Sequence, residues 1–128
     1  MHVSVISIPV SDQDRAKKFY TEVLGFNQLS DVVMSPDMRW VHLSAPDGGA
    51  TITLVTWFPS MPAGSTRGLV LEVDDVDAWH TDLTAKGYEF PDGISAQPWG
   101  RYITVEDPDG NGIILQTSTR NARKAAAV

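Results

Sequence analysis

The sequence predicts an α+β fold made of one strand–helix–strands unit used twice. Two observations carry that prediction. The stretch SVISIPVSDQDRAKKFYTEVLGF (4–26) is echoed by GLVLEVDDVDAWHTDLTAKGYEF (68–90), and the turn SAPDGGATITL (44–54) by EDPDGNGIILQ (106–116). Asp12 recurs as Asp75 and Asp47 as Asp109, at offsets that agree to within one residue. A repeated supersecondary unit restricts the fold more than any single residue does. Strands and a helix in each copy imply helices on one face of each sheet.

Each element has a local reason. Residues 3–10 alternate as a strand, with Ile6, Ile8 and Val10 on one face and Val5 and Ser7 on the other. Asp12 is placed to cap a helix that carries Ala16, Phe19, Tyr20, Val23 and Leu24 as one apolar stripe. Gly25 then suits a left-handed helix end. Segments 39–44 (RWVHLS) and 51–58 (TITLVTWF) read as strands joined by PDGG, whereas 27–38 carries a weaker pattern. The Pro/Gly/Ser-rich segment 59–66 reads as a linker. The pattern restarts at Leu69, Leu71 and Val73. Asp74 or Asp75 caps a second helix bearing Val76, Trp79 and Leu83, with Trp79 expected in the core, and Gly87 ends it. Residues 101–106 and 112–117 form the last hairpin, and 91–100 a loop or short edge strand. One domain is expected: module one about 1–58, the linker, module two about 67–118, and a basic, Ala-rich tail expected to fray.

Composition narrows the function. The net charge is −6, with 10 Lys and Arg against 16 Asp and Glu. Nucleic acid is therefore not expected as a partner, since phosphates are bound by neutralising them. A cationic small molecule suits the charge better. The absence of cysteine removes disulfides and thiolate chemistry and fits a cytoplasmic protein. The opening MHVSVISIPVSD has no signal-peptide character, and no apolar run approaches the ~20 residues that span a bilayer.

Three segments match one known family. VSDQDRAKKFYTEVLGF (10–26), LEVDDVDAW (71–79) and EDPDGNGIILQ (106–116) resemble the vicinal oxygen chelate superfamily of glyoxalase, bleomycin-resistance and dioxygenase proteins, in order and in spacing. The resemblance implies two βαβββ modules whose sheets curl into a cup that holds a ligand, with the helices outside. It also implies a homodimer, as in many members. The metal-dependent relatives place His or Glu at positions that correspond here to Val5, Gly68 and Ile114, with a fourth nearest Thr53. Val, Gly and Ile have no donor atoms, and a divalent ion needs several converging N or O ligands. No metal and no other cofactor is expected.

Strand parity supplies the candidate pocket. Ser7, Glu72, Tyr102, Thr104 and Gln116 lie opposite the apolar faces, a mixed surface of the kind small-molecule sites use. Trp40, His42 and Trp57 share cup parity, and Trp99 precedes Arg101 and Tyr102. Aromatic faces sandwich planar or cationic ligands; for Trp99, dimer-interface packing is an equal alternative. Arg101 pairs either with a ligand carboxylate or, more commonly, with a nearby acidic residue. His42 and Glu72 form an acid/base pair or a two-ligand metal stub, or, in the plainer reading, His42 bonds a backbone carbonyl or faces solvent. Glu72, if buried without a partner, calls for a cationic ligand. The expected function is metal-free binding of an aromatic or cationic compound, as in antibiotic-sequestering relatives. The alternative is a glyoxalase-like lyase, isomerase or dioxygenase with Glu72, His42 or Tyr102 in non-standard catalytic roles.

Overall fold

The computed structural model describes residues 1–119, so the basic tail lies outside the described residues. The chain divides into two compact units, one comprising Met1–Thr66 with Glu106–Asn111, the other Arg67–Val105 with Gly112 onward.

The first unit contains β1 (Val5–Pro9), α1 (Gln13–Lys18), a π-helical turn (Phe19–Val23), β2 (Asn27–Ser35), β3 (Met38–Ser44) and β4 (Thr51–Val55). Its strands run in the order β1-β4-β3-β2, with β1 parallel to β4 and the other pairs antiparallel. The Asp12 carboxylate accepts the Arg15 N–H and so fixes the start of α1. Gly25, at φ +81°, ends the helical segment as its sequence position predicted. Ala16, Phe19, Tyr20, Leu24 and Phe26 are buried with Ile8, Val41, Leu43, Ile52 and Leu54. Each such large aliphatic or aromatic side chain contributes about 1.5–3 kcal/mol by leaving water. The rings of Phe19 and Phe26 meet Tyr20 edge to face, at 5.3 and 5.9 Å.

The turn at 106–111 follows a strand of module two in the chain yet clusters with the first unit. Asp107 organises it: Oδ1 accepts the N–H groups of Asp109 and Asn111, and Oδ2 accepts from the Tyr20 hydroxyl and the Asn111 amide. Four donors compensate a carboxylate that is only 5% exposed. Asp109 accepts from the Ser11 backbone and hydroxyl and from Arg15. The sequence reading of both aspartates as turn residues holds, and the structure adds their packing against Tyr20 and Ser11.

The second unit contains β5 (Leu69–Glu72), α2 (Val76–Ala85), β6 (Ser95–Gln97), most of β7 (Gly100–Glu106) and β8 (Gly112–Ser118). The order is β5-β8-β7-β6, the same arrangement as in the first sheet, with β5 parallel to β8. Asp75 is the cap of α2 and accepts the Ala78 N–H. Val76, Leu83, Ile103, Val105, Ile113 and Leu115 are buried, while Trp79, expected in the core, is only half-buried.

The two βαβββ modules are thus present, with one strand the sequence reading did not assign. Strand β2 carries no clean alternation because it is an edge strand: Leu29, Val32, Val33 and Met34 are all exposed.

Candidate functional site

In the first unit, register sets the site. Thr53 on β4 pairs with Ser7 on β1 and with His42 on β3, so these side chains share one face. The opposite face carries the buried Ile8, Ile52, Leu54, Val41 and Leu43. Trp40, two residues before His42, joins the polar face and starts a run of rings. Its ring centre lies 5.8 Å from that of His42 and 6.5 Å from that of Trp57, which lies 5.9 Å from that of Phe58. Trp40, His42 and Trp57 are half-buried and Phe58 is exposed. The four rings therefore form a continuous aromatic surface within reach of solvent.

Of two polar features here, Thr51 was not singled out in the sequence, and Thr53 was noted there only as the position nearest a fourth metal ligand. Thr51 lies below His42, with its Oγ1 2.6 Å from His42 Nε2 and 3.1 Å from the Ser4 carbonyl oxygen. Thr53 is fully buried, and its hydroxyl has no hydrogen-bond partner among the described residues. An unmade hydrogen bond on a buried group costs about 1–3 kcal/mol. Alternation in TITLV places Thr51 and Thr53 on the polar face, which was the available signal.

In the second unit, Glu72 pairs with Gln116 in the ladder, and Ser95 with Tyr102. Glu72 is exposed and accepts from the Gln116 amide and from the backbone and hydroxyl of Ser118. The unpartnered buried carboxylate considered from sequence is not present. Its donors are neutral, and among the described residues no cation pairs with it. Trp99 is 46% exposed and stacks flat on Tyr102, with ring centres 5.6 Å apart and planes 7° from parallel. The Thr119 N–H holds the Trp99 carbonyl at 2.8 Å. Tyr102 and Thr104 also line a cleft of about 370 Å³ with Phe90, Asp92 and Ser95.

Arg101 departs from the pocket wall. It alternates with Tyr102 on β7 and so shares the face of the buried Ile103 and Val105, where it pairs with Asp77 of α2 at 2.7 Å. Of its two sequence readings, the structure has the ion pair.

The positions that correspond to metal ligands lack donors in space as in sequence. Val5 is on β1, Ile114 pairs with Val70, and Gly68 precedes β5 at φ +80°. The left-handed backbone at Gly68 explains that residue: a His there would be strained. The residues present do not fit a chelated ion at these positions. Elsewhere among the described residues, no three His, Asp or Glu side chains converge.

The segments around Asp12, Asp75 and the 106–111 turn lie within a match to the Glyoxalase/Bleomycin resistance protein/Dioxygenase superfamily that runs over residues 2–115. The chain belongs to this superfamily. Among superfamily structures it is similar to TnmS3, an antibiotic binding protein from Streptomyces sp. CB03234, at 44% identity and a TM-score of 0.86, over 93% of this chain and 97% of that one. A glyoxalase/bleomycin resistance protein from the same Streptomyces strain matches at 43% identity and a TM-score of 0.80, over 90% and 99% of the two chains. The uncharacterized Bacillus subtilis (strain 168) protein YetH is 31% identical over 117 residues, covering 89% of this chain and 96% of YetH.

Proposed function

We propose that this superfamily member binds an aromatic or cationic small molecule without a metal and sequesters it rather than transforming it. The observation that carries this reading is the ring surface Trp40–His42–Trp57–Phe58, which starts on the polar face of the first sheet at Trp40 and His42 and continues into the segment after β4. Flat aromatic faces offer large contact area with little conformational entropy to lose. Three further points support it: the Trp99–Tyr102 stack, the donor-free residues Val5, Gly68 and Ile114, and the likeness to an antibiotic binding protein. The proposed contact residues are Trp40, His42 and Trp57 in the first unit and Glu72, Trp99, Tyr102 and Gln116 in the second.

The working form is proposed to be a cytoplasmic homodimer. The exposed apolar residues of edge strand β2 support an interface, because such edges are usually covered or charged.

A screen of planar aromatic compounds, read by tryptophan quenching and thermal shift, tests the reading. Quenching with a raised melting temperature is expected. A panel that produces neither would remove it. The second reading is a metal-free lyase, isomerase or dioxygenase using His42, Glu72 or Tyr102, and the His42–Thr51 contact favours it. Mass spectrometry of the recovered compound separates the two: a sequestering protein returns it unchanged.

A further inference from the structure

We propose that the first unit reads a ring-borne hydroxyl: His42 presents Nδ1 as a fixed hydrogen-bond acceptor to a planar phenolic ligand lying on Trp40 and Trp57. This deepens the small-molecule reading and rests on it.

The argument begins at Ser4. Its carbonyl oxygen can only accept, and it takes the Thr51 N–H at 2.9 Å and faces the Thr51 hydroxyl at 3.1 Å. A hydroxyl has one proton. Once that proton is given to Ser4, the Thr51 oxygen can only accept from the imidazole nitrogen 2.6 Å away. His42 Nε2 therefore carries the hydrogen, and in the neutral ring Nδ1 is left with its lone pair. An orienting partner on one imidazole nitrogen fixes the role of the other. Among the described residues Nδ1 has no partner, and His42 is only half-buried.

A second observation points to the same place. Thr53, opposite His42 in the ladder, has a buried hydroxyl with no partner. Beside one aromatic surface lie a directed acceptor and an unmade hydroxyl contact. Apolar ring stacking supplies affinity there, and Nδ1 supplies the selection of an O–H donor over an ether.

Long-range proton–nitrogen NMR of the imidazole tests the tautomer without any ligand. The Nε2–H form is expected, and an Nδ1–H form would overturn the proposal. Calorimetry with 2-naphthol and 2-methoxynaphthalene tests the readout. The naphthol is expected to bind on the order of tenfold more tightly, as one hydrogen bond predicts. His42→Phe should bring the two affinities together, while His42→Asn, which keeps an acceptor near Nδ1, should retain part of the preference. Equal binding of both probes to the unmodified chain leaves the small-molecule reading standing and overturns the hydroxyl readout. Binding of neither overturns both.

Discussion

The side-chain amide of Asn111 donates to the carbonyl oxygen of Pro9 at 2.8 Å, joining residues 102 positions apart in the chain. The same amide donates to Asp107 Oδ2, and Asn111 Oδ1 accepts the Thr66 N–H at 3.0 Å. Asn111 is fully buried. Asn111→Ala removes the amide donor from the Pro9 carbonyl and from Asp107 Oδ2, which keep the Gly64 N–H and the Tyr20 hydroxyl, and removes the acceptor of the Thr66 N–H. The expected loss is about 3 kcal/mol, in the range for a broken buried network, and urea unfolding of the two proteins measures it. A loss below experimental error would show that water replaces the amide.

Tyr20 gives an alkaline signature. Burial, with the Asp107 carboxylate beside it, raises its phenol above the ordinary value of 10.0. The unfolded chain then loses this proton at lower pH than the folded chain does. Stability is therefore intact below pH 10.0 and falls as pH rises above it, by about 1.4 kcal/mol per pH unit for one group. Urea midpoints across this range should show the slope. Tyr20→Phe should remove it, at a cost near neutrality of about 1–2 kcal/mol for the donor lost to Asp107.

At the acid end the sign reverses. Hydrogen bonds from Arg39 and Lys17, at 2.7–2.8 Å, hold the Asp31 carboxyl below its ordinary value of 3.8. Stability from this cluster is present above that value and is lost as the folded carboxylate protonates. Asp31→Asn should lower stability at neutral pH by about 1 kcal/mol, since the groups are partly solvated. It should also flatten the decline at low pH. Parallel acid unfolding curves for the two proteins would count against the assignment.

Thr53→Val tests the orphan hydroxyl directly. Where a buried hydroxyl lacks a partner, replacing it by a methyl group of similar shape removes a penalty. The free protein should gain about 1 kcal/mol, in contrast to the loss usual for a buried Thr. Calorimetric melting reads the gain; a clear loss would mean the hydroxyl is satisfied in solution, for example by water.

The repeat made most of the fold legible. Strands such as residues 38–44 and 100–106 bury one face, and burial writes itself into the sequence as alternation. Strand β2 left no such trace because Leu29, Val32 and Val33 are exposed and its register shifts twice against β3. Parity placed Trp40 and His42 on the face of Thr53, and for Arg101 the structure has the ion pair that was the commoner of its two readings, made with Asp77, which local sequence does not identify. The Thr51–His42 contact was not legible, since it depends on a diagonal neighbour in the ladder rather than on spacing. Asp107 was read as a turn residue because local sequence shows a turn; its bond to Tyr20 spans 87 positions.

The donor set sharpens the metal question into a measurement. Val5 and Ile114 present only hydrocarbon, and Gly68 presents no side chain. With these three in place, chelation would need a new set of ligands, and an imidazole with one or two oxygens gives a weak, open site. Elemental mass spectrometry of untagged protein purified without chelator should find far less than one ion per chain. The same result is expected after incubation with Zn²⁺, Mn²⁺, Fe²⁺ and Ni²⁺ followed by buffer exchange. Retention of one ion per chain would point to His42 or Glu72 as ligands and would make the enzyme reading the leading one. His42→Phe and Glu72→Gln would then show which of them holds the ion.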